Sequence, residues 1–429
     1  MTGNHIGDPH VHTVNGVAYD FQAVGEFTLL RDGDWMEVQV RQTPVATANP
    51  IPDIYSGITA CVSINTAVAA RVGKHRISFQ PGREGPRLQF YLDGEPAQLP
   101  FEGLDLGSHR VSVFDANGDS GLRIDYDDGT VVMATPAFWN AHNIWYIDVS
   151  ISNTKGDEGI MGHVPSASWL PRLRDGVSVG PMPPSLQDRY VTLYKEFADS
   201  WRVTDDTSLF VYAPGTSTRT FTDPDWPAEK PPCEMKPEFQ VPGAPVFEGM
   251  PIQEAEMICS LVTEKDLHNN CVFDVATTGD ETFARGYLLA QELRLYGTAV
   301  QVAGYVPATT RTDRTSPAVA TEQRRRDGWL VVTATVRPLT PGNPHPAGTV
   351  VFFVDGVPMK RPIELDDSGT ASVELGPLKP GEHRIRANYS GGGRHDYHSS
   401  TSPNLLYTVT SEPKDEPKSS ELRPKRVEP

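Results

Sequence analysis

The bond between Asp8 and Pro9 carries the sharpest chemistry in the chain. An aspartate side chain can attack its own carbonyl carbon, and a proline nitrogen, more basic than an ordinary amide, leaves once protonated. His10 follows directly and could govern that proton. Asp8, Pro9 and His10 are therefore the candidates for self-cleavage, against the competing reading that the run only builds structure. His5, His10 and His12 could together hold zinc, but His10 and His12 stand two apart on one face of a predicted strand. His5 reads as part of an unanchored terminus, so no metal site is expected there. Asp115, Asn117 and Asp119 are spaced like alternate oxygen ligands for calcium, yet no glutamate stands at the twelfth position and the piece joins two strands. A plain hairpin turn is the preferred reading, with calcium left open as the one cofactor. No nucleophile elbow, phosphate loop or His-Glu-x-x-His helix is present, and Asp127-Asp128 and Asp366-Asp367 fall where turns need them. The expectation is a protein that is not an enzyme.

The elements that must position these residues are mainly β. Asn15-Gly16 between His10–Val14 and Val17–Phe21 is a strong hairpin signal. Further strands separated by Asp-Gly and Asn-Gly turns continue to residue 152, at the short spacing of an antiparallel sandwich. Leu186, Tyr190, Leu193, Tyr194 and Phe197 recur at helical spacing. Two more helices are predicted over 253–263 and 281–295, with 266–274 between them carrying Cys271. A polar stretch that ends in Arg324-Arg325-Arg326 reads as a linker. Five short strands between Trp329 and Val409 suit an immunoglobulin-like sandwich, and the tail after Ser411 is too polar to fold. The predicted organisation is a first domain over 1–180, a companion segment over 181–303, a linker over 304–328, an immunoglobulin-like domain over 329–410 and a disordered tail over 411–429.

A chain of 429 residues is too long for one core. Its net charge of -17 argues against nucleic acid or an anionic membrane as partner. No apolar run reaches the roughly 18 residues of a spanning helix, so membrane insertion is not expected. The four cysteines fit neither a CxxC pair nor a zinc finger. A Cys259–Cys271 disulfide is expected first, with Cys61 and Cys233 as a further pair, and both imply an oxidising compartment. The opening residues lack a leader segment, so either a leader has been removed or the chain is an excised piece.

The run Gly7-Asp8-Pro9-His10, Thr13, Asn15-Gly16, Tyr19-Asp20-Phe21-Gln22 and Gly25-Glu26-Phe27 resembles the opening of von Willebrand factor type D domains. That resemblance implies a module that assembles or binds in mucins, clotting adhesion proteins and bacterial surface proteins, and that in some members breaks its Asp-Pro bond. It also implies a calcium site between an acidic residue in the first hairpin turn and an Asn/Asp-rich loop. Here the turn residue is Asn15, and the loop His163–Ala167 has no carboxylates, so calcium is not expected at that place. The stretches Phe197–Val203 and Ser208–Phe210, with Cys259, Cys271–Asp274 and Thr278-Gly279-Asp280, are similar to the region after the type D domain in transmembrane mucin-like and sushi-containing adhesion proteins. Gly348-Thr349-Val350, Val354-Asp355-Gly356, Leu378–His383 and Tyr389-Ser390-Gly391 resemble bacterial immunoglobulin-like repeats, which act as spacers.

Together these readings lead to a non-enzymatic, secreted or cell-surface adhesion or matrix protein whose partners are other proteins or surface glycans, with homo-oligomers left open. A self-processing precursor is the first alternative. A carbohydrate-binding module is the second and would need Trp139, Trp145 or Trp169 exposed, whereas aromatics of this kind usually serve a core.

Overall fold

The computed structural model describes residues 1–429 except 48–51, 59–60, 83–86, 101, 117, 231, 241–248, 306–327, 360, 393–396 and 411–429. The triple arginine, most of the expected linker and the tail lie outside the described residues. The protein is mainly β with antiparallel sheets, as its alternating segments and Gly-containing turns require.

Fourteen strands build the N-terminal part: β1 (Gly3–Ile6), β2 (His10–His12), β3 (Ala18–Asp20), β4 (Gly25–Asp32), β5 (Met36–Pro44), β6 (Ser63–Val72), β7 (His75–Pro81), β8 (Leu88–Leu92), β9 (Glu95–Pro96), β10 (Leu104–Leu106), β11 (His109–Ala116), β12 (Asp119–Asp125), β13 (Val131–Trp139) and β14 (Ile144–Ser152). One sheet runs β10-β11-β12-β13-β14-β1-β2-β3 and the other β4-β5-β6-β7-β8-β9. Their inner faces share one core in which Val11, Tyr19, Phe27, Leu29, Val38, Val40, Val149 and Ile151 are fully buried. Burial of that apolar surface is the main stabilising term. β1 pairs with β14 on one side and β2 on the other. The terminus expected to be unanchored is thus an internal strand, because its Asn-His-Ile segment completes the ladder between them.

The predicted helix after residue 185 is observed as α1 (Leu186–Tyr190), a π-helical turn over Val191–Phe197 and α2 (Ala198–Trp201), with Ser185 capping its start through Asp188 N–H. Leu193, Tyr194, Phe197 and Trp201 join the sandwich core. Three further helices follow: α3 (Ile252–Ile258), α4 (Lys265–Thr278) and α5 (Thr282–Tyr296). α4 occupies the stretch between the two predicted helices, which is not itself predicted to be helical. Its buried positions Leu267, Asn270, Cys271, Asp274, Val275 and Thr278 do recur at helical spacing. Three of the six are polar, which hid the pattern. α4 ends at Gly279, which takes the left-handed conformation at φ +68°, and the Asp280 carboxyl accepts from Thr282 N–H as α5 begins. α3, α4 and α5 bury Ala255, Leu267, Val275, Phe283 and Tyr287 against Ile6, Ile64, Trp139 and Tyr146 on the outer side of the strands.

The C-terminal part has β15 (Thr298–Tyr305), β16 (Leu330–Pro338), β17 (Thr349–Val354), β18 (Val357–Pro358), β19 (Ile363–Glu364), β20 (Thr370–Leu375), β21 (Gly381–Tyr389), β22 (Ser400–Thr401) and β23 (Leu405–Val409). A sheet β15-β16-β20 faces one built on β18-β17-β21-β22, with β19 on β17 and β23 on β21. Val300, Val332, Val336, Phe352, Ile385 and Tyr389 form the core between them. β15 pairs with β16 over its whole length, Thr298 opposite Pro338 to Tyr305 opposite Val331. This sandwich therefore starts at residue 298, ahead of the segment read as linker and within what was read as companion, because β16 would otherwise be an unpaired edge.

Both disulfides are formed, Cys61–Cys233 and Cys259–Cys271. They close loops of very different length, with sequence separations of 172 and 12. Chain entropy then predicts unequal effects, on the order of 5 kcal/mol for the long loop and about 3 kcal/mol for the short one. Thermal melts of C61S/C233S and C259S/C271S should show the larger drop in the first; equal drops would contradict this account.

Candidate functional site

The turn that contains Asp8-Pro9 joins β1 to β2, and the sheet register arranges what surrounds it. On the side facing the helices, His10 on β2 stands opposite Ile6 on β1 and Asp20 on β3. The β1–β14 pairing continues the same row toward Asp148. His12 shares that face, whereas His5, opposite Val149 and Val11, points into the sandwich and meets Asn65 Nδ2 at 2.7 Å. The three histidines therefore do not form one cluster.

α4 and α5 close over this row. Asp274 of α4 sets Oδ1 at 2.9 Å from His10 Nε2, while its Oδ2 accepts from Asp8 N–H at 3.2 Å and from Tyr287 O–H at 2.6 Å. His10 Nδ1 bonds Asp20, and its Nε2 also lies 3.0 Å from Asp8 Oδ1. Gly7 N–H donates to Asp148 Oδ1 at 2.8 Å. Gly7 has φ +68°, and a Cβ there would stand 1.8 Å from Asp274 Oδ2, so only glycine fits beneath the helix. Around the edge, Tyr55 O–H donates to Asn270 Oδ1 at 3.0 Å, and Asn270 Nδ2 lies 3.3 Å from His12 Nε2.

Asp8, His10, Asp20 and Asp274 are all 0% exposed. Burial pushes the Asp8 carboxyl well above the usual carboxylate range, and the neighbouring Asp274 pushes it the same way against the pull of His10. For His10, burial alone would favour the neutral ring, but Asp20, Asp274 and Asp8 outweigh it and hold the imidazole well above its ordinary value. Burial and the charge on His10 press the other way on His5, down to about 3. Burial, Arg294 and His10 bring His12 down to about 4. Asp53 and Asp148 are each raised to about 7, chiefly by burial, with Asp20 and Asp274 respectively adding to it. The result is one buried cation among carboxyl groups, at least one of which keeps its proton at neutral pH.

The Asp8–Pro9 peptide itself is held on both sides. Gln22 Nε2 donates to the Asp8 carbonyl oxygen at 3.1 Å, and Pro9 O accepts from Phe21 N–H at 3.1 Å. Asp8, Pro9 and His10 lie together in this buried turn. Asp20, Gln22, Asp148, Asp274 and Tyr287 were not singled out as site residues, although Asp20 and Gln22 lie in the run that carries the type D resemblance. Asp8, His10 and Asp274 each bring one ligand atom within 4.8 Å of the others, so these three are where a metal could sit. An ion there must displace the protons that Asp8 and His10 hold.

The other candidate sites turn out differently. Asp115 Oδ1 accepts from Gly118 N–H at 2.8 Å within the β11–β12 hairpin, while Asn117 lies outside the described residues. The first hairpin turn does meet the loop after Gly162, but through a side-chain amide: Asn15 Nδ2 donates to Val164 O at 2.9 Å and its Oδ1 accepts from Val164 N–H at 3.0 Å. Trp139 is fully buried, Trp169 packs on the sandwich core and Trp145 is half-buried beside Phe138. A cleft of about 920 Å³, lined among others by Arg110, Arg123, Asp125, Arg386 and His398, includes none of the Asp8 cluster.

The two sandwiches define a mainly β, disulfide-bonded multidomain protein. A family model of bacterial Ig-like domains (group 3) matches residues 319–410, which hold the C-terminal sandwich from β16 onward. Such a domain and the disulfides are compatible with an extracellular, surface-type protein. No helix among the described residues is long and apolar enough to cross a membrane.

Two measurements check this electrostatic and hydrogen-bonding picture. Asp148 binds its proton more tightly folded than unfolded, so its contribution to stability is present at low pH and is lost as pH rises from about 4 through about 7. D148N should therefore melt higher than wild type at pH 8 and close to it at pH 5; parallel melting curves at all pH values would contradict the assignment. Asn15→Ala should cost about 1 kcal/mol by removing the clasp, whereas chelation of calcium should leave the melting temperature unchanged.

Proposed function

We propose that this chain is a secreted or cell-surface protein of adhesion or matrix type, with a von Willebrand type D module at its N-terminus and the Ig-like domain as spacer. The observation that carries the reading is the meeting of the first hairpin turn with the loop after Gly162. These are the two places where the type D resemblance implies contact, here joined by Asn15 and Val164. The bacterial Ig-like match and the two disulfides support a surface location. Surface labelling and protease shaving of intact cells that make the protein should reach it with all four cysteines oxidised. Recovery only from the cytosol, with reduced thiols, would overturn the reading.

A second reading, self-processing at Asp8–Pro9, is favoured by the state of Asp8. Its carboxyl is buried, is held well above the usual carboxylate range by that burial, and belongs to the residue whose carbonyl it would attack. In that reaction a side-chain oxygen of Asp8 adds to the Asp8 carbonyl carbon, closing a five-membered anhydride ring. The bond to Pro9 nitrogen breaks, and the nitrogen takes the proton that the Asp8 carboxyl gives up as it attacks. Water then opens the anhydride to leave Asp8 as a free C-terminus. Since the Asp8 carboxyl supplies that proton, the rate should rise as pH falls. Denaturing mass spectrometry after incubation at mildly acidic pH should find residues 1–8 separated from the rest. The same sample under native conditions should keep its full mass, because β1 stays hydrogen-bonded between β14 and β2. An intact denatured mass after prolonged incubation would end this reading.

A further inference from the structure

We propose that Gln22 is a catalytic residue of Asp8–Pro9 cleavage, its Nε2 group serving as the donor that stabilises the oxygen of the scissile carbonyl. The inference rests on the self-processing reading. Gln22 is 1% exposed, and Nε2 lies 3.1 Å from Asp8 O. The orientation of the amide is dictated by its other end: Oε1 accepts from Ser63 N–H at 2.7 Å and from Ser63 Oγ at 3.3 Å. A backbone N–H can only donate, so Oε1 must face Ser63 and the NH₂ group must face Asp8.

When the Asp8 side chain adds to its own carbonyl carbon, the π electrons of the carbonyl move onto that oxygen, and a negative charge forms in a buried setting. A fixed donor at this position interacts more strongly with the developing oxyanion than with the resting carbonyl, which is the condition for lowering a barrier. As the tetrahedral centre collapses, the electrons return to the carbonyl and the C–N bond breaks with its pair on Pro9 nitrogen. The proton on that nitrogen comes from the attacking Asp8 side chain, and Gln22 exchanges none. Its position follows from the strand before it: Asp20 is held opposite His10, and the two residues that follow carry the Gln22 side chain back across the turn. Ser63, the first residue of β6, comes from the opposite sheet, so the donor is braced from outside the hairpin it serves.

The test compares wild type, Q22M and Q22E by denaturing mass spectrometry across pH, with disulfide content and thermal melting confirming the fold. Q22M keeps the side-chain length and removes the donor. It should slow cleavage roughly 100- to 1,000-fold, the loss usual for one oxyanion donor, without moving the pH at which the rate is half its acid plateau. The carboxyl introduced by Q22E donates only when protonated, so its rate should fall more steeply with rising pH than that of wild type. A purely structural role for Gln22 would not produce this change of profile. Q22M cleaving as fast as wild type would overturn the role of Gln22 and leave self-processing standing. Wild type failing to cleave at any pH would overturn self-processing itself. If Q22M does not fold, the decision passes to Q22E, for which a profile parallel to wild type is the refuting outcome.

Discussion

One buried imidazole organises the N-terminal part of this protein. His10 sits without solvent among Asp20, Asp274 and Asp8, which come from β3, α4 and its own turn. A charged ring in such a place is tolerated only because opposite charge and hydrogen bonds surround it. Removing any one partner leaves an uncompensated buried group, which costs far more than a surface contact is worth. The sheet and the helices are therefore tied by a polar interaction that demands a particular geometry, in addition to the apolar packing of Ile6, Tyr146, Phe283 and Tyr287. Packing alone would tolerate small slides of α4 along the strands; the bonds to Asp274 do not.

The same arrangement explains the spread of proton affinities. Burial lowers His5 and His12, with the charge on His10 adding to it, and burial raises Asp8, Asp53 and Asp148. Groups that would titrate together in water are driven apart over several pH units by burial and by sign of charge.

The β framework was legible because turn residues and alternation are local signals. Asn15-Gly16 and Asp93-Gly94 do sit between paired strands. Asp8, Pro9 and His10 could be named as candidates because the chemistry of an Asp-Pro bond is written in adjacent residues. Asp274 and Tyr287 could not, since their relation to Asp8 exists only after α4 and α5 dock, more than 250 residues further along. α4 was missed for a related reason: the polar residues Asn270, Asp274 and Thr278 that serve the site replace the apolar stripe by which a helix is recognised. His5 was misjudged because three residues of strand near a terminus carry little pattern of their own and are ordered by their neighbours. The clasp from Asn15 to Val164 was half visible. The missing carboxylates could be read directly, but the amide that joins the two loops could not.

The junction between the two sandwiches has no slack. α5 ends at Tyr296, only Gly297 intervenes, and β15 begins at Thr298 as a full partner of β16. Leu339 N–H donates to Gly297 O, Asn343 bonds the last carbonyls of α5, and Ala299 and Leu339 pack on Val131 and Met133 of the first sandwich. A domain that looks in sequence like a tethered spacer is thus fastened like a lever arm on a shaft. Tension borne along its strands passes into α5, whose Tyr287 hydroxyl rests on the same carboxylate that touches Asp8 and His10.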